Sequence, residues 1–156
     1  MARVKRLAPV RGFAVEVTTR IHAPTSAVWR ALVDTRKWWP KGMTVNSKAK
    51  GVRIEPRLGG RFYEDWGSGE GLIWWTVIGF RKGSWLELGG FVEPESGGPG
   101  MTLARILLRA KGNETDLHIL DNLWGPIPRG QDRNIARGWD ILAKALKEFV
   151  EKRGKR

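Results

Sequence analysis

The sequence contains no cysteine, which excludes a disulfide framework, a thiolate metal site and a thiol redox centre. It has only two histidines, His22 and His118, too few and too far apart to indicate a metal site. No apolar run approaches the roughly 20 residues that cross a membrane, and the start lacks the apolar region of a signal peptide. We therefore expect a cytoplasmic protein without a metal or other cofactor.

Motifs for nucleotide binding and nucleophilic catalysis are also missing. There is no Walker sequence, and no serine or cysteine stands in a nucleophile elbow. The glycines within 67–71 precede a predicted strand rather than a helix, so they indicate a turn and not a dinucleotide fingerprint.

Positive charge and tryptophan are abundant. With 28 basic and 16 acidic residues the formal net charge is +12, which favours nonspecific contact with nucleic acid or anionic membranes. The charges are spread along the chain, however, as on an ordinary solvated surface. A hydrophobic share of 41% and nine tryptophans exclude a disordered chain. Residues 1–156 therefore predict one domain, with a loose basic lead-in over residues 1–11.

The clearest element is an amphipathic run over residues 131–153. Its apolar residues recur at steps of four, three, four and three, which predicts a long helix with one apolar face: Ile135, Trp139, Leu142, Leu146 and Phe149. Gly138 within it costs about 1 kcal/mol relative to alanine. We interpret this glycine as room for a close approach beside Trp139.

The rest of the chain is typical of an antiparallel sheet. Alternation from Phe13 to Ile21 predicts a half-buried strand, Pro24 begins a short helix, and residues 34–39 add a second. About six short strands follow, at 52–56, 61–66, 72–80, 85–91, 101–110 and 115–123, with a flexible loop at 93–100. One long helix cannot cover both faces of this sheet, so we expect an α+β fold with the sheet curved around the helix.

Several stretches together resemble the helix-grip superfamily of birch-pollen-allergen-like proteins, START domains and polyketide cyclases. Within it, the chain is most similar to bacterial proteins like the activator of the heat-shock protein 90 ATPase. The matching stretches are 21–32, Trp38-Trp39, 57–62, 112–117 and Gly138-Trp139 followed by Leu142. The resemblance implies seven antiparallel strands gripping the C-terminal helix, two short helices after the first strand, and an apolar cavity. It does not imply one chemistry.

The same resemblance places Phe62 and the face of Leu117, Ile119 and Asp121 on the concave side. By the two-residue period, Glu64 and Trp66 follow Phe62 inward. Proteins similar to the chaperone activator often carry a histidine where Asp121 stands. We weigh two interpretations of Glu64 and Asp121: solvated or arginine-paired carboxylates near strand ends, or polar anchors able to act as acid or base.

The tryptophans are candidates for the cavity wall, although ordinary core packing explains any one of them. Trp74 and Trp75 cannot both face inward on a regular strand, and Val77, matching an inward valine of the superfamily, favours Trp75. His118 is expected on the convex face. The predicted ligand-binding residues are Trp38, Phe62, Glu64, Trp66, Trp75, Val77, Asp121, Trp124, Trp139 and Leu142.

Four functions follow as hypotheses. The first is binding of a small hydrophobic molecule, aromatic or lipid-like, between sheet and helix. The second is a cyclase- or dehydratase-like enzyme that uses Glu64 or Asp121 as the catalytic group. The third is a chaperone-interacting module with a protein partner, and the fourth is nonspecific binding of nucleic acid.

Overall fold

The computed structural model describes residues 1–94 and 98–154 of the chain. Its elements are β1 (Arg11–Ile21), α1 (Thr25–Leu32), β2 (Gly51–Ile54), β3 (Arg61–Gly67), β4 (Glu70–Arg81), β5 (Trp85–Val92), β6 (Gly100–Lys111), β7 (Glu114–Gly125) and α2 (Gln131–Gly154). Where a second short helix was predicted there is a three-residue 3-10 turn, Thr35–Lys37. The loop predicted at 93–100 includes residues 95–97, which lie outside the described residues.

All seven strands form one curved antiparallel sheet in the order β1-β7-β6-β5-β4-β3-β2. Successive strands from β2 to β7 are neighbours, and the first strand pairs with the last, Arg11 opposite Gly125 and Ile21 opposite Thr115. The predicted α+β architecture is confirmed, and it is a helix-grip arrangement.

Three register shifts bend the sheet. Trp66 in β3 and Trp74 in β4 have no partner residue in the pairing of these two strands, and Ile78 has none opposite β5. Such bulges insert one extra residue on one strand, increase the local twist and bend the strand. Two of them fall within five residues of β4, at Trp74 and Ile78.

The core lies between the concave face and α2. This helix buries the side chains of Trp139, Leu142, Ala143, Leu146 and Val150, which confirms the apolar face predicted from the sequence. Burial of a large apolar side chain stabilises a fold by about 1.5–3 kcal/mol, so this stripe fixes the helix against the sheet. No helix within residues 1–94 and 98–154 is long and apolar enough to span a membrane.

Candidate ligand-binding cavity

A cavity of about 170 Å³ lies between the concave face of the sheet and the first half of α2. Its lining residues are Met43, Trp74, Trp75, Phe91, Val92, Glu93, Thr102, Asp121, Leu123, Ile135, Gly138, Trp139 and Leu142. Phe91 is 73% exposed, so the cavity reaches the surface at the end of β5. The walls are largely aromatic and aliphatic, as is usual for small-molecule sites.

A second, smaller cavity lies on the other side of Trp139 and Leu142, which line both spaces. It measures about 20 Å³, and Trp38 and Phe62 are among its walls. A space of this size holds about one water molecule, so it has no room for an organic ligand.

A buried carboxyl group, that of Asp121, is the centre of the polar part of the main cavity. Asp121 on β7 is 1% exposed. The Thr102 hydroxyl on β6 donates a hydrogen bond to Oδ1 at 2.5 Å, and Trp139 Nε1 on α2 donates to Oδ2 at 2.8 Å. Trp75 Nε1 on β4 in turn donates to the Thr102 hydroxyl at 3.4 Å. Side chains from β4, β6, β7 and α2 therefore form one hydrogen-bond network that includes this carboxyl group.

Burial raises the pKa of Asp121 above its ordinary value of 3.8, because the charged form loses solvation, whereas the hydrogen bonds from Thr102 and Trp139 act in the opposite direction. No lysine, arginine or histidine is among the described residues that line the cavity. Asp121 therefore holds a proton more readily than an exposed aspartate does, and can exchange a proton or a hydrogen bond with a molecule in the cavity.

Trp74 and Trp75 both line the cavity, so the expectation that only one of them packs inside was wrong. The bulge at Trp74 is the physical reason, because an extra residue lets two successive side chains turn to the same side. Their rings meet edge to face at 5.7 Å between centroids, and the Trp75 ring lies 5.6 Å from that of Trp139.

The indole N–H of Trp74 is buried without a hydrogen-bond partner among the described residues. A buried donor without a partner costs roughly 1–3 kcal/mol, and a bound acceptor removes that cost. Trp74 therefore carries an unused donor, and its side chain lines the same cavity as Asp121.

Glu64 is fully buried on the inner face of β3, but it lines neither cavity. Its carboxylate accepts hydrogen bonds from the backbone N–H groups of Val45 and Asn46 at 2.5 and 3.2 Å, and from Trp66 Nε1 at 2.9 Å. Of the two interpretations, a solvated or arginine-paired carboxylate is excluded by this burial and these donors. The polar anchor for a ligand stays a prediction, and Glu64 anchors the segment 43–46. Trp39 Nε1 binds the Met43 carbonyl at 2.7 Å, which helps to place Met43 at the cavity.

Three other predicted lining residues lie elsewhere. Trp124 is on the convex face and 39% exposed, because inward positions on β7 alternate through Asp121 and Leu123. Trp66 is the extra residue of the β3 bulge and contacts Glu64 instead of the cavity. Val77 points inward as expected, but it is packed into the core and lines neither cavity.

Of the predicted residues, the structure brings Trp75, Asp121, Trp139 and Leu142 together at the main cavity. Thr102 was not predicted. It faces inward on β6, as does Ala104 two residues later, so the two-residue period of a strand would have identified it. Met43 lies in a loop, where no periodic signal exists. His118 contacts Glu16 at 2.6 Å on the convex face, as predicted.

Gly138 lines the cavity, but nothing approaches it closely. A Cβ atom added there would have Met43 Cε as its nearest neighbour at 3.9 Å, an ordinary contact. The expected close approach at Gly138 is therefore not made by any described residue of the protein, and whether a ligand makes it stays a prediction. The missing side chain instead widens the cavity beside Trp139.

No protein-family model matches the sequence, and no curated protein matches it. Solved structures show the fold. A protein from Rhizobium leguminosarum aligns with a TM-score of 0.70 and 15% identity, over 92% of this chain and 97% of that one. The protein CV1439 from Chromobacterium violaceum aligns with a TM-score of 0.65 and 21% identity, over 88% and 96%.

DynU16, a protein in the dynemicin biosynthetic locus, aligns with a TM-score of 0.65 and 18% identity. The match covers 88% of this chain and 47% of DynU16. At these identities the likeness shows the helix-grip fold alone. The site therefore has to be interpreted from its own geometry.

Proposed function

We propose that this protein binds a small, neutral, ring-shaped apolar molecule in the cavity between the sheet and α2. The observation that carries the proposal is an aromatic-walled cavity of about 170 Å³ with a buried carboxyl group in its wall. An empty space of this size is unfavourable in a protein core, because the atoms that line it lose packing contacts that they would otherwise make.

The volume limits the size of the ligand. Apolar cavities of roughly 150 Å³ bind benzene, so the space here matches one six-membered ring. A larger molecule would place one ring inside and extend through the mouth beside Phe91.

The polar groups limit its charge. The buried Asp121 carboxyl group lies in the cavity wall, and the hydrogen bonds to it come from the uncharged donors Thr102 and Trp139. An anionic ligand would meet like charge in a poorly solvated space, which is unfavourable. A neutral hydroxyl or carbonyl group can instead accept a hydrogen bond from the Trp74 indole N–H.

Calorimetric titration with p-cresol, toluene and benzoate at neutral pH tests this proposal. We expect p-cresol to bind most tightly, toluene more weakly because it has no acceptor, and benzoate most weakly. Gly138→Leu places a side chain into the cavity, so it is expected to weaken binding of p-cresol by tenfold or more, about 1.4 kcal/mol.

Lys144→Leu is the matched control, because Lys144 is exposed on the same helix and lines neither cavity. Its affinity for p-cresol is expected to stay within twofold of the parent. Equal affinity of the parent and the Gly138→Leu variant, or no binding of any ring compound by folded protein, would overturn the proposal.

A second candidate function is an enzyme that uses Asp121 as acid or base. It is supported by a buried carboxyl group with a raised pKa in the wall of an apolar cavity. Glu64 is a weaker candidate, because its carboxylate is occupied by Val45, Asn46 and Trp66 away from the cavity. Asp121→Asn should abolish turnover and preserve ligand binding, whereas full activity of that variant would exclude Asp121 as the catalyst.

The chaperone-like protein partner and the nonspecific binding of nucleic acid stay predictions. The first rests on resemblance and the second on the net charge of +12. Neither is required by the geometry of the cavity.

A further inference from the structure

Five exposed apolar side chains form one continuous surface on the convex side of the sheet. They are Ile78, Phe91, Met101, Leu103 and Trp124, with exposed fractions between 39% and 73%, and we call them the convex apolar patch. Scattered single apolar residues are normal on a protein surface, whereas a contiguous group marks an interaction site.

Strand register makes the patch continuous. Phe91 on β5 pairs with Met101 on β6, and Met101 pairs with Trp124 on β7, so these three side chains form a row across the sheet. Leu103 lies two residues further along β6 on the same face, opposite Gly89. The Ile78 side chain covers Gly89, because a Cβ atom there would lie 3.3 Å from Ile78 Cδ1.

A basic segment of the chain ends next to this row. Gly12 pairs with Trp124, and Arg3, Lys5, Arg6 and Arg11 precede Gly12 in the chain. The first acidic residue in the chain is Glu16, so residues 1–15 carry four cations and no carboxylate side chain. The lead-in also carries exposed apolar side chains: Met1, Val4, Leu7 and Val10.

We propose that the convex apolar patch and the basic lead-in together dock this protein onto an anionic lipid surface. Tryptophan and phenylalanine place apolar area in the headgroup region, and lysine or arginine is attracted by the negative surface potential of an anionic leaflet. The lead-in supplies charge complementary to such a surface, and its chain enters β1 where Gly12 pairs with Trp124.

Other occupants match these features less well. Two copies of the chain would each bring a net charge of +12, which opposes self-association. Aliphatic side chains such as Ile78, Leu103 and Met101 contribute little to base stacking, which uses aromatic rings. Phe91 belongs both to the patch and to the cavity mouth, so docking would bring the cavity opening close to the lipid. The proposal does not depend on which ligand the cavity holds.

Co-sedimentation with vesicles tests the proposal. The full chain is mixed with neutral phosphatidylcholine vesicles or with vesicles that also contain phosphatidylglycerol. We expect at least tenfold stronger partitioning onto the anionic vesicles, and a decrease with added salt because charge screening weakens the attraction.

Two variants separate the contribution of the apolar row from that of the basic lead-in. Phe91→Ser/Met101→Ser/Trp124→Ser removes the row and should reduce partitioning at least tenfold. Replacement of Arg3, Lys5, Arg6 and Arg11 by glutamine leaves the convex apolar patch intact and changes one side chain of the sheet, that of Arg11 at the start of β1. It should reduce binding to anionic vesicles to the level of neutral ones.

Leu58→Ser/Ile141→Ser is the control, because both side chains are exposed but neither lies on β5, β6 or β7. It should partition like the parent. The proposal is overturned if anionic vesicles do not bind the protein, or if both test variants bind like the parent. A dimer abolished by the patch variant, or DNA binding that depends on the patch while vesicles stay unbound, would also overturn it and assign the surface to that other partner.

Discussion

Asp121 is the residue on which the chemistry of the cavity depends. A carboxyl group removed from water is costly in its charged form unless hydrogen bonds compensate, and Asp121 receives two, from Thr102 and Trp139. The same two bonds fix the direction of both carboxyl oxygens. Asp121 therefore combines a defined orientation with a pKa raised by burial.

The raised pKa has a consequence for stability. When an acid has a higher pKa in the folded state, the unfolded chain loses its proton first as the pH rises. The contribution of Asp121 to the free energy of unfolding therefore falls as the pH increases from about its ordinary value of 3.8 through its folded-state pKa. Asp121→Asn removes this dependence.

We predict that the stability of Asp121→Asn relative to the parent increases from pH 4 to pH 7. Urea denaturation at several pH values measures it. Asp140→Asn is the control, because Asp140 is exposed on α2, and its difference from the parent should stay constant within about 0.5 kcal/mol. A pH-independent difference for Asp121→Asn would contradict the assignment.

A second prediction for a single residue concerns the stability of a variant at Gly138. Alanine has a higher helix propensity than glycine by about 1 kcal/mol, and its Cβ atom would meet only Met43 Cε at an ordinary 3.9 Å. Gly138→Ala should therefore raise the free energy of unfolding by up to about 1 kcal/mol, measured by urea denaturation. A loss of stability would show that the helix is more tightly packed there than the structure indicates.

Single residues also show where sequence reasoning succeeded and failed. The two-residue spacing puts Asp121 on the face of Leu117 and Ile119, the resemblance made that face the inner one, and the structure has Asp121 there. Trp124 is separated from Asp121 by an odd number of positions, so the same rule places its side chain on the convex face. Its prediction as a lining residue was therefore avoidable.

At the scale of elements, the bulges account for what could not be predicted. Alternation requires Trp74 and Trp75 to face opposite sides, and only the register shift opposite β3 brings both to the cavity. A bulge has no firm signature in residue types, because any residue can be the extra one. Helix α2, by contrast, was predicted almost to its ends, since its apolar period persists over several turns.

The segment 43–46 depends on Glu64. In Glu64→Gln one side-chain oxygen still accepts a hydrogen bond. The other oxygen is replaced by an NH₂ group, which cannot accept from the N–H donors of Val45, Asn46 or Trp66. We predict that Glu64→Gln lowers the free energy of unfolding by about 1–3 kcal/mol. It should also weaken binding of p-cresol, because Met43 would be held less firmly at the cavity.

Glu70→Gln is the matched control, since Glu70 is the first residue of β4 and its side chain is exposed. Its unfolding free energy, measured by urea denaturation beside that of Glu64→Gln, should match the parent within about 0.5 kcal/mol. Parent-like stability of Glu64→Gln would mean that the buried carboxylate does not anchor the segment.

At the scale of the whole molecule, the order of elements was accessible from the sequence because each has its own period: two for the strands and about 3.6 for α2. The cavity was expected only through resemblance to the helix-grip superfamily. Its actual walls include a loop residue, Met43, and a bulge residue, Trp74, which periodicity cannot locate. The architecture was thus easier to predict than the site that it creates.

The proposed function requires that a ligand occupies the space between the sheet and α2. The most direct measurement is a set of NMR contacts between the ring protons of p-cresol and the methyl groups of the methyl-labelled protein. We predict contacts to Leu123, Ile135 and Leu142, which line the cavity, and none to Leu103 on the convex face. Contacts confined to the convex face, or none at saturating p-cresol, would contradict the central claim.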